Sequence, residues 1–323
     1  MLDELPVFLM SPPRHDWALR GKANFKSEGA PPVNPDRARQ EWAALADAIC
    51  AAGGEVVVCP PHPRRNLTGM IYTAEAGEYY AGPDGAPRFV LSTMAVEHRQ
   101  DEGDWIGGFV EGLGFRVECI PTTWEAQGDA IRAQCGRKII HTFGSGKYRR
   151  TDPRAYEEVA HLLSDEHIQI HFRAEPWFHG NTFLNVYHGD RLPPRLLEDG
   201  ERLPETVLVC PEALVPGELD RIAQFLPHAE IVEIDAEASR AYDTNCLQVG
   251  DRVLATSDLS QTARDAFLRL DLEIVTLDLG ELFGKGGGAP VCLTNRLWGV
   301  DVDAIPAHAL WSMAPSIDAH TAV

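Results

Sequence analysis

The residue best suited to nucleophilic chemistry stands near the end of the chain, where Gly284-Lys285-Gly286-Gly287-Gly288-Ala289-Pro290-Val291-Cys292-Leu293-Thr294-Asn295 brings a single cysteine out of a glycine-rich turn. Residues without Cβ atoms permit a tight turn and let backbone come close to a ligand. The run is not a phosphate loop, because its lysine precedes the glycines instead of following them. A cysteine alone is more commonly a small buried hydrophobe, so Cys292 needs partners to be read as reactive. Two segments offer them. Thr123-Trp124-Glu125-Ala126-Gln127-Gly128-Asp129-Ala130 carries two carboxylates four residues apart. A carboxylate can orient and charge an imidazole, or hold a guanidinium by two hydrogen bonds. Trp177-Phe178-His179-Gly180-Asn181-Thr182-Phe183 sets a histidine among aromatic and apolar residues. Taken singly, the carboxylates read as a solvated loop and the histidine as a core residue; taken together they supply a nucleophile, a proton carrier and an orienting acid.

Something must hold these segments in register. Short β-rich runs bounded by Gly, Pro or Asp are expected at 7–10, 55–59, 70–73, 88–92, 116–120, 137–142, 168–172, 182–187, 206–210, 230–234, 246–249, 252–255, 273–277 and 291–294. Amphipathic stretches lie between them. In 35–52, Trp42, Leu45, Ala46 and Ile49 share one face, Asn34 can cap the start and Gly53-Gly54 can end it. Trp105, Ile106, Phe109 and Val110 form a second such face, and 156–163, 219–226 and 262–270 are further helical candidates. Helices thus alternate with two or three strands about five times, an excess of strands over a doubly wound sheet. Hairpin-like pairs such as 246–249 and 252–255 around Gly250-Asp251 favour several small mixed sheets arranged in a ring, within a single domain spanning 1–323.

The 323 residues are 44% hydrophobic and 24% charged, as expected of a folded globular chain. Their 29 Lys and Arg against 48 Asp and Glu give a net charge of -19, which repels phosphate backbones and anionic membranes and weakly favours a small cationic partner. Nucleic acid and membrane are therefore not expected partners. Seven cysteines stand singly, with no C-x-x-C pair, so neither a disulfide framework nor a zinc knuckle is indicated, and a reducing, cytoplasmic setting is expected. The acidic first residues do not suit a signal peptide, and no apolar run reaches the length of a membrane span.

In order and character these segments resemble the amidinotransferase, arginine deiminase and dimethylargininase superfamily. The resemblance extends from an opening strand at Phe8-Leu9-Met10-Ser11-Pro12-Pro13 through nearly all the chain. Gln40-Glu41-Trp42-Ala43-Ala44-Leu45, followed by Gly53-Gly54-Glu55-Val56, is similar to the family's first helix and next strand. Met70-Ile71-Tyr72-Thr73-Ala74-Glu75-Ala76-Gly77 is similar to its M-V-F-T-A-N-A-G segment. Glu125-Ala126-Gln127-Gly128-Asp129 is similar to E-G-x-G-D, and Gly144 to Thr151 loosely to G-x-G-x-R-T. Lys285-Gly286-Gly287-Gly288 to Cys292-Leu293-Thr294 resembles K-x-G-G-G-x-x-C-L-T.

The resemblance implies the pentein fold, a five-fold pseudosymmetric α/β propeller of strand–helix modules around a central channel that holds the active site. It implies a hydrolase acting on a guanidino compound such as arginine or a methylated arginine, with no metal or organic cofactor. Cys292 would attack the amidino carbon to form a thiouronium-type adduct, His179 would act as general acid and base, and Glu125 would orient His179. An amidinotransferase uses the same three residues and passes the adduct to an amine; a third reading is a binding protein that kept the fold without the chemistry. For substrate binding the resemblance points to Glu75, Asn181 and Asp129, with Arg99, Arg149 and Arg150 as candidates for a substrate carboxylate. The stretch 14–32, with His15, Asp16, Arg20 and Lys22, stands where relatives carry a substrate lid. Relatives often pair, so a homodimer is an expectation. Three departures bear on substrate: Asn181 replaces the Asp of the family's H-x-D and removes a negative charge, Gly69 replaces the Asp of its P-D pair, and Ala126-Gln127 interrupts its glycines.

Overall fold

A computed structural model describes residues 5–20, 24–134, 136–146, 149–164, 166–173, 175–189, 205–256 and 259–321. The first strand, β1 (Val7–Met10), shows why this chain makes strands buried on both faces. Side chains alternate along a strand: Val7 and Leu9 pack into one hydrophobic cluster, while Phe8 and Met10 pack into another. β2 (Glu55–Val58) pairs parallel to β1 and divides its residues the same way. The crossover between them is α1 (Pro35–Ala51), whose Asn34 side chain accepts a hydrogen bond from the Arg37 amide and whose Pro35 occupies the first turn. Ala38, Trp42, Leu45, Ala46 and Ile49 form its buried stripe.

The same unit then repeats. β3 (Gly77–Ala81) pairs antiparallel with β4 (Pro87–Leu91), and α2 (Glu102–Gly112) leads to β5 (Arg116–Cys119), parallel to β4. A short turn, α3 (Ala126–Asp129), opens the next unit: β6 (Ala130–Ala133), β7 (Lys138–Ser145), α4 (Ala155–Leu163) and β8 (Glu166–Arg173). β9 (Leu184–His188), β10 (Glu205–Val209), α5 (Glu218–Phe225) and β11 (Glu230–Glu233) form the fourth. After α6 (Ala236–Arg240), the hairpin β12 (Leu247–Val249) and β13 (Arg252–Thr256) continues through α7 (Gln261–Arg269) to β14 (Glu273–Leu277). Finally β15 (Asn295–Arg296) pairs antiparallel with β1, so the first sheet is completed from the far end of the sequence, before α8 (Ile317–Thr321).

The described residues thus form five three-stranded sheets, each an antiparallel pair extended by a parallel third strand, with β15, β3, β6, β9 and β12 as the antiparallel edge strands. Four hydrophobic clusters fill the seams between units, instead of one central core. Contacts join β15 to β3, α4 to β3, β6 to β9, α7 to β10 and α1 to β13 and β14, so each unit touches the next and the last touches the first.

The sequence expectation differs at both ends of this logic. Residues 70–73 and 291–294 are turns, not strands, whereas β3 and β6 are strands that the sequence reading passed over. Among the described residues, no helix is long and apolar enough to cross a membrane, and no group of three or more His, Cys, Asp or Glu could hold a metal ion.

Candidate active site

Each antiparallel edge strand is preceded by a tight turn, and those turns carry the candidate site residues. A 3-10 turn at Thr73–Glu75 precedes β3, Glu125 and α3 precede β6, and His179 with the turn Gly180–Thr182 precedes β9. Asn245 lies just before β12 and Cys292 just before β15. The five-fold repeat therefore brings residues more than two hundred positions apart to one place. Glu75, His179 and Cys292 line one pocket together with Tyr72, His98, Arg99, Arg150 and Phe178. Glu75, Glu125, His179 and Cys292 are all buried.

His179 is hydrogen-bonded to one carboxylate and faces a second on its other side, where Nδ1 makes no hydrogen bond. Its Nε2 lies 2.7 Å from Glu125 Oε2, and its Nδ1 lies 3.4 Å from Glu75 Oε1. Burial opposes the imidazolium, but Glu75, Glu125 and Asp129 outweigh it and raise the pKa of His179 above its ordinary 6.5. Glu125 in turn accepts from the Ala95 amide at 2.9 Å and has Arg150 Nη1 3.7 Å away. Burial works against its charge, yet Arg150 and His179 prevail and lower its carboxyl to about 2. The ring packs tightly against Gly128: a Cβ there would lie 3.1 Å from the His179 ring and 3.2 Å from Glu75 Cγ. Ala126, where the resembling pattern has glycine, adopts φ 38°, a left-handed conformation that strains a residue with a Cβ.

Cys292 is positioned through α1. Both carboxylate oxygens of the buried Glu41 cap the backbone N–H groups of Glu281 and Leu282, fixing the helical turn Gly280–Lys285 that leads into the glycine run. Gly288 lets that run pass the ring of Tyr72, because a Cβ there would fall 2.4 Å from Tyr72 Cε1. Burial and the neighbouring carboxylate of Glu75 push the Cys292 thiol far above the ordinary range, so the resting sulfur is protonated. Cys292 Sγ lies 3.3 Å from Asn245 Nδ2 and 3.8 Å from Asn181 Oδ1.

The remaining candidates separate. Asp129 is buried behind the histidine loop, its Oδ1 accepting from Thr142 Oγ1 and the Gly180 amide and its Oδ2 from Thr151 Oγ1. Through these contacts it braces the loop, and it lies outside the pocket lining. Arg149 is exposed, lies outside the pocket lining and pairs with Asp152 at 2.6 Å. Arg99 does line the pocket, but its guanidinium is committed to Glu75 Oε2 at 2.7 Å, to Glu102 and to the Gly69 carbonyl. This explains the glycine at 69: a Cβ there would sit 2.3 Å from Arg99 Nε and from Glu102 Oε1. Burial holds the Glu102 carboxyl up at about 7 despite Arg99 beside it. Of the stretch 14–32, Leu19, Arg20, Asn24 and Ser27 line the pocket. Asn24 donates to the Gly286 carbonyl, and Trp17 is buried with its indole N–H on the Thr68 carbonyl. His15 faces a different cavity and Asp16 pairs with Arg14. Lys22, and residues 147 and 148 of the Gly144–Thr151 motif, lie outside the described residues. Sequence reasoning missed Asn245, Tyr72, His98 and Glu102; the position of Asn245 just before the hairpin at 246–255 was the available signal.

No family model and no curated protein matches the sequence. Solved structures do. The N-terminal domain of ArgZ, an arginine dihydrolase from the ornithine-ammonia cycle in cyanobacteria, in a mutant bound to substrate, matches with a TM-score of 0.74 at 23% identity, covering 90% of this chain and 98% of that one. The chain has that fold. It is a pentein fold, shared at a TM-score of 0.58 and 19% identity with dimethylarginine dimethylaminohydrolase in an adduct with 4-chloro-2-hydroxymethylpyridine, over 92% of this chain and 100% of that one. A mutant of AgrE in complex with L-arginine matches at 0.72 and 22% identity, over 90% of this chain but 40% of the longer AgrE chain.

Proposed function

We propose that this pentein-fold chain is a cysteine-dependent hydrolase of a guanidino compound, with its five units closed into a ring and the pocket at the centre. The observation that carries the reading is the convergence of Cys292, His179 and Glu75 on one pocket, with Glu125 bonded to the far side of the imidazole. The contacts that run from each unit to the next support the ring, and the arginine-acting and dimethylarginine-acting proteins that share the fold support the substrate class.

In this reading the amidino carbon sits within reach of Cys292 Sγ, with its cationic nitrogens beside Glu75. Glu75 disfavours the thiolate in the resting protein; a bound cation offsets that charge and lowers the cost of passing the thiol proton to water, since His179 is already protonated. Sulfur then bonds to the amidino carbon. His179, charged by its two carboxylate neighbours, protonates the departing amine as the C–N bond breaks. Neutral His179 next takes a proton from water attacking the thiouronium carbon, and the C–S bond breaks to return the thiol. Glu125 holds the imidazole in place through both steps.

The test is turnover of arginine, methylated arginines, agmatine and guanidinoacetate by wild type and by Cys292→Ala, assaying released ammonia or alkylamine. Release by wild type alone, without an added amine, supports hydrolysis; release that requires an amine acceptor marks a transferase; equal behaviour of both proteins removes Cys292 from the chemistry.

A further inference from the structure

Cys292 is held by a side chain that the reaction scheme above does not use. Asn245 is fully buried and reaches the cysteine twice: its Oδ1 accepts the Cys292 backbone N–H at 3.1 Å, and its Nδ2 points to Cys292 Sγ at 3.3 Å. The same Nδ2 also donates to the Asn181 carbonyl at 3.1 Å, which ties the cysteine turn to the histidine turn. Asn181, buried as well, presents its Oδ1 to the sulfur at 3.8 Å and leaves its own Nδ2 without a partner. One amide therefore offers the sulfur a donor and the other an acceptor. A thiol can use both, donating to Asn181 and accepting from Asn245; a thiolate can only accept.

We propose that Asn245 is the positioning residue of the nucleophile: it fixes the Cys292 backbone and sulfur together and supplies the hydrogen bond that stabilises the thiolate when the proton leaves. The inference rests on Cys292 being the nucleophile of the proposed reaction. The charged and titratable groups that act on the sulfur include Glu75, which opposes the thiolate, Arg99, which favours it, and the phenols of Tyr72 and Tyr242. Against that background an uncharged donor lowers the cost of the thiolate without adding a cation that would repel a guanidinium. It also gives Asn181 a reason to be an amide: a carboxylate in its place would set a second negative charge beside the sulfur.

The experiment reads thiolate availability without any substrate, so it stands or falls separately from the hydrolase reading. Alkylation of Cys292 by iodoacetamide, in which sulfur bonds to the reagent's methylene and iodide leaves, is followed by peptide mass from pH 7 to 10 in wild type, Asn245→Ser and Asn245→Asp. Serine keeps a short donor and aspartate keeps only acceptors. The expected order is wild type fastest, serine intermediate, and aspartate about tenfold or more below wild type at each pH, equivalent to a shift of at least about one pH unit. A merely structural role predicts the opposite, since a loosened turn exposes a buried cysteine and speeds its alkylation. Faster alkylation in folded variants, or equal rates in all three, overturns the proposal. Should the variants not fold, the side-chain amide resonances of Asn245 in wild type decide: they shift when Cys292 is alkylated if the contact exists, and stay in place if it does not.

Discussion

Replacing Glu125 with Gln tests whether His179 is held by charge or only by shape. The Glu125 carboxyl is lowered from 4.5 to about 2, against its own burial, by Arg150 and His179. Its charge is thus favoured in the folded state. At about 1.4 kcal/mol for each tenfold change in proton affinity, that difference is worth about 3 kcal/mol of stability at pH 7. The sign follows from the lowered pKa: the contribution is complete above 4.5 and fades as pH falls toward 2. Gln keeps the size and one acceptor for the Ala95 amide but leaves Arg150 and the imidazolium without their carboxylate. Urea denaturation of wild type and Glu125→Gln should show a gap of about 3 kcal/mol at pH 7 that shrinks by roughly half at pH 3. The variant's rate should also fall, and the alkaline limb of its pH profile should move to lower pH, because His179 loses one of the charges that raise its pKa. A gap that stays constant between pH 7 and pH 3 would refute the electrostatic argument.

Other expectations follow from single contacts. Asn181→Asp places a carboxylate where Asn181 Oδ1 now sits 3.8 Å from Cys292 Sγ, so it should slow iodoacetamide alkylation of Cys292 by about tenfold or more at fixed pH. Gly128→Ala puts a Cβ 3.1 Å from the His179 ring, and a displaced ring should lower kcat by about one hundredfold while thermal stability changes little. Ala126→Gly, relieving the left-handed φ of 38°, should raise stability by about 1 kcal/mol in chemical denaturation. In wild type, turnover should persist to a pH above the ordinary histidine range before it falls, because His179 keeps its proton there; a fall centred at 6.5 or below contradicts the carboxylate clamp.

The outer framework was legible in sequence because its signals are local. Asn34 and Pro35 announce α1, and the spacing of Trp42, Leu45, Ala46 and Ile49 gives its buried face. The β-branched runs of β2, β10 and β14 mark strands by composition alone. The centre was harder to read, for a physical reason. Strands β3 and β6 carry Glu78 and Arg132, which point at each other in a buried ion pair with Arg132 Nε 2.8 Å from Glu78 Oε1; sequence alone shows only a charge interrupting each short run. Conversely 70–73 and 291–294 are apolar runs that are buried as turns, because their task is to present Glu75 and Cys292. The candidate site was accessible through motif order, which placed Cys292, His179, Glu125 and Glu75. Motif order could not show that Arg99 is spent on Glu75 and Glu102, that Asp129 braces a loop, or that Asn245 touches the sulfur, since those facts depend on which turns the five-fold repeat brings face to face.

The proposed reaction requires Cys292 to form a covalent bond to an amidino carbon. Its most direct test is intact and peptide mass of wild type, His179→Ala and Cys292→Ala after acid quenching from the guanidino panel. A thiouronium-type mass increase is expected that maps to the Cys292 peptide in wild type or His179→Ala and is absent from Cys292→Ala. Turnover of a panel compound with no such adduct in either cysteine-containing protein, or an adduct that survives loss of Cys292, would contradict it.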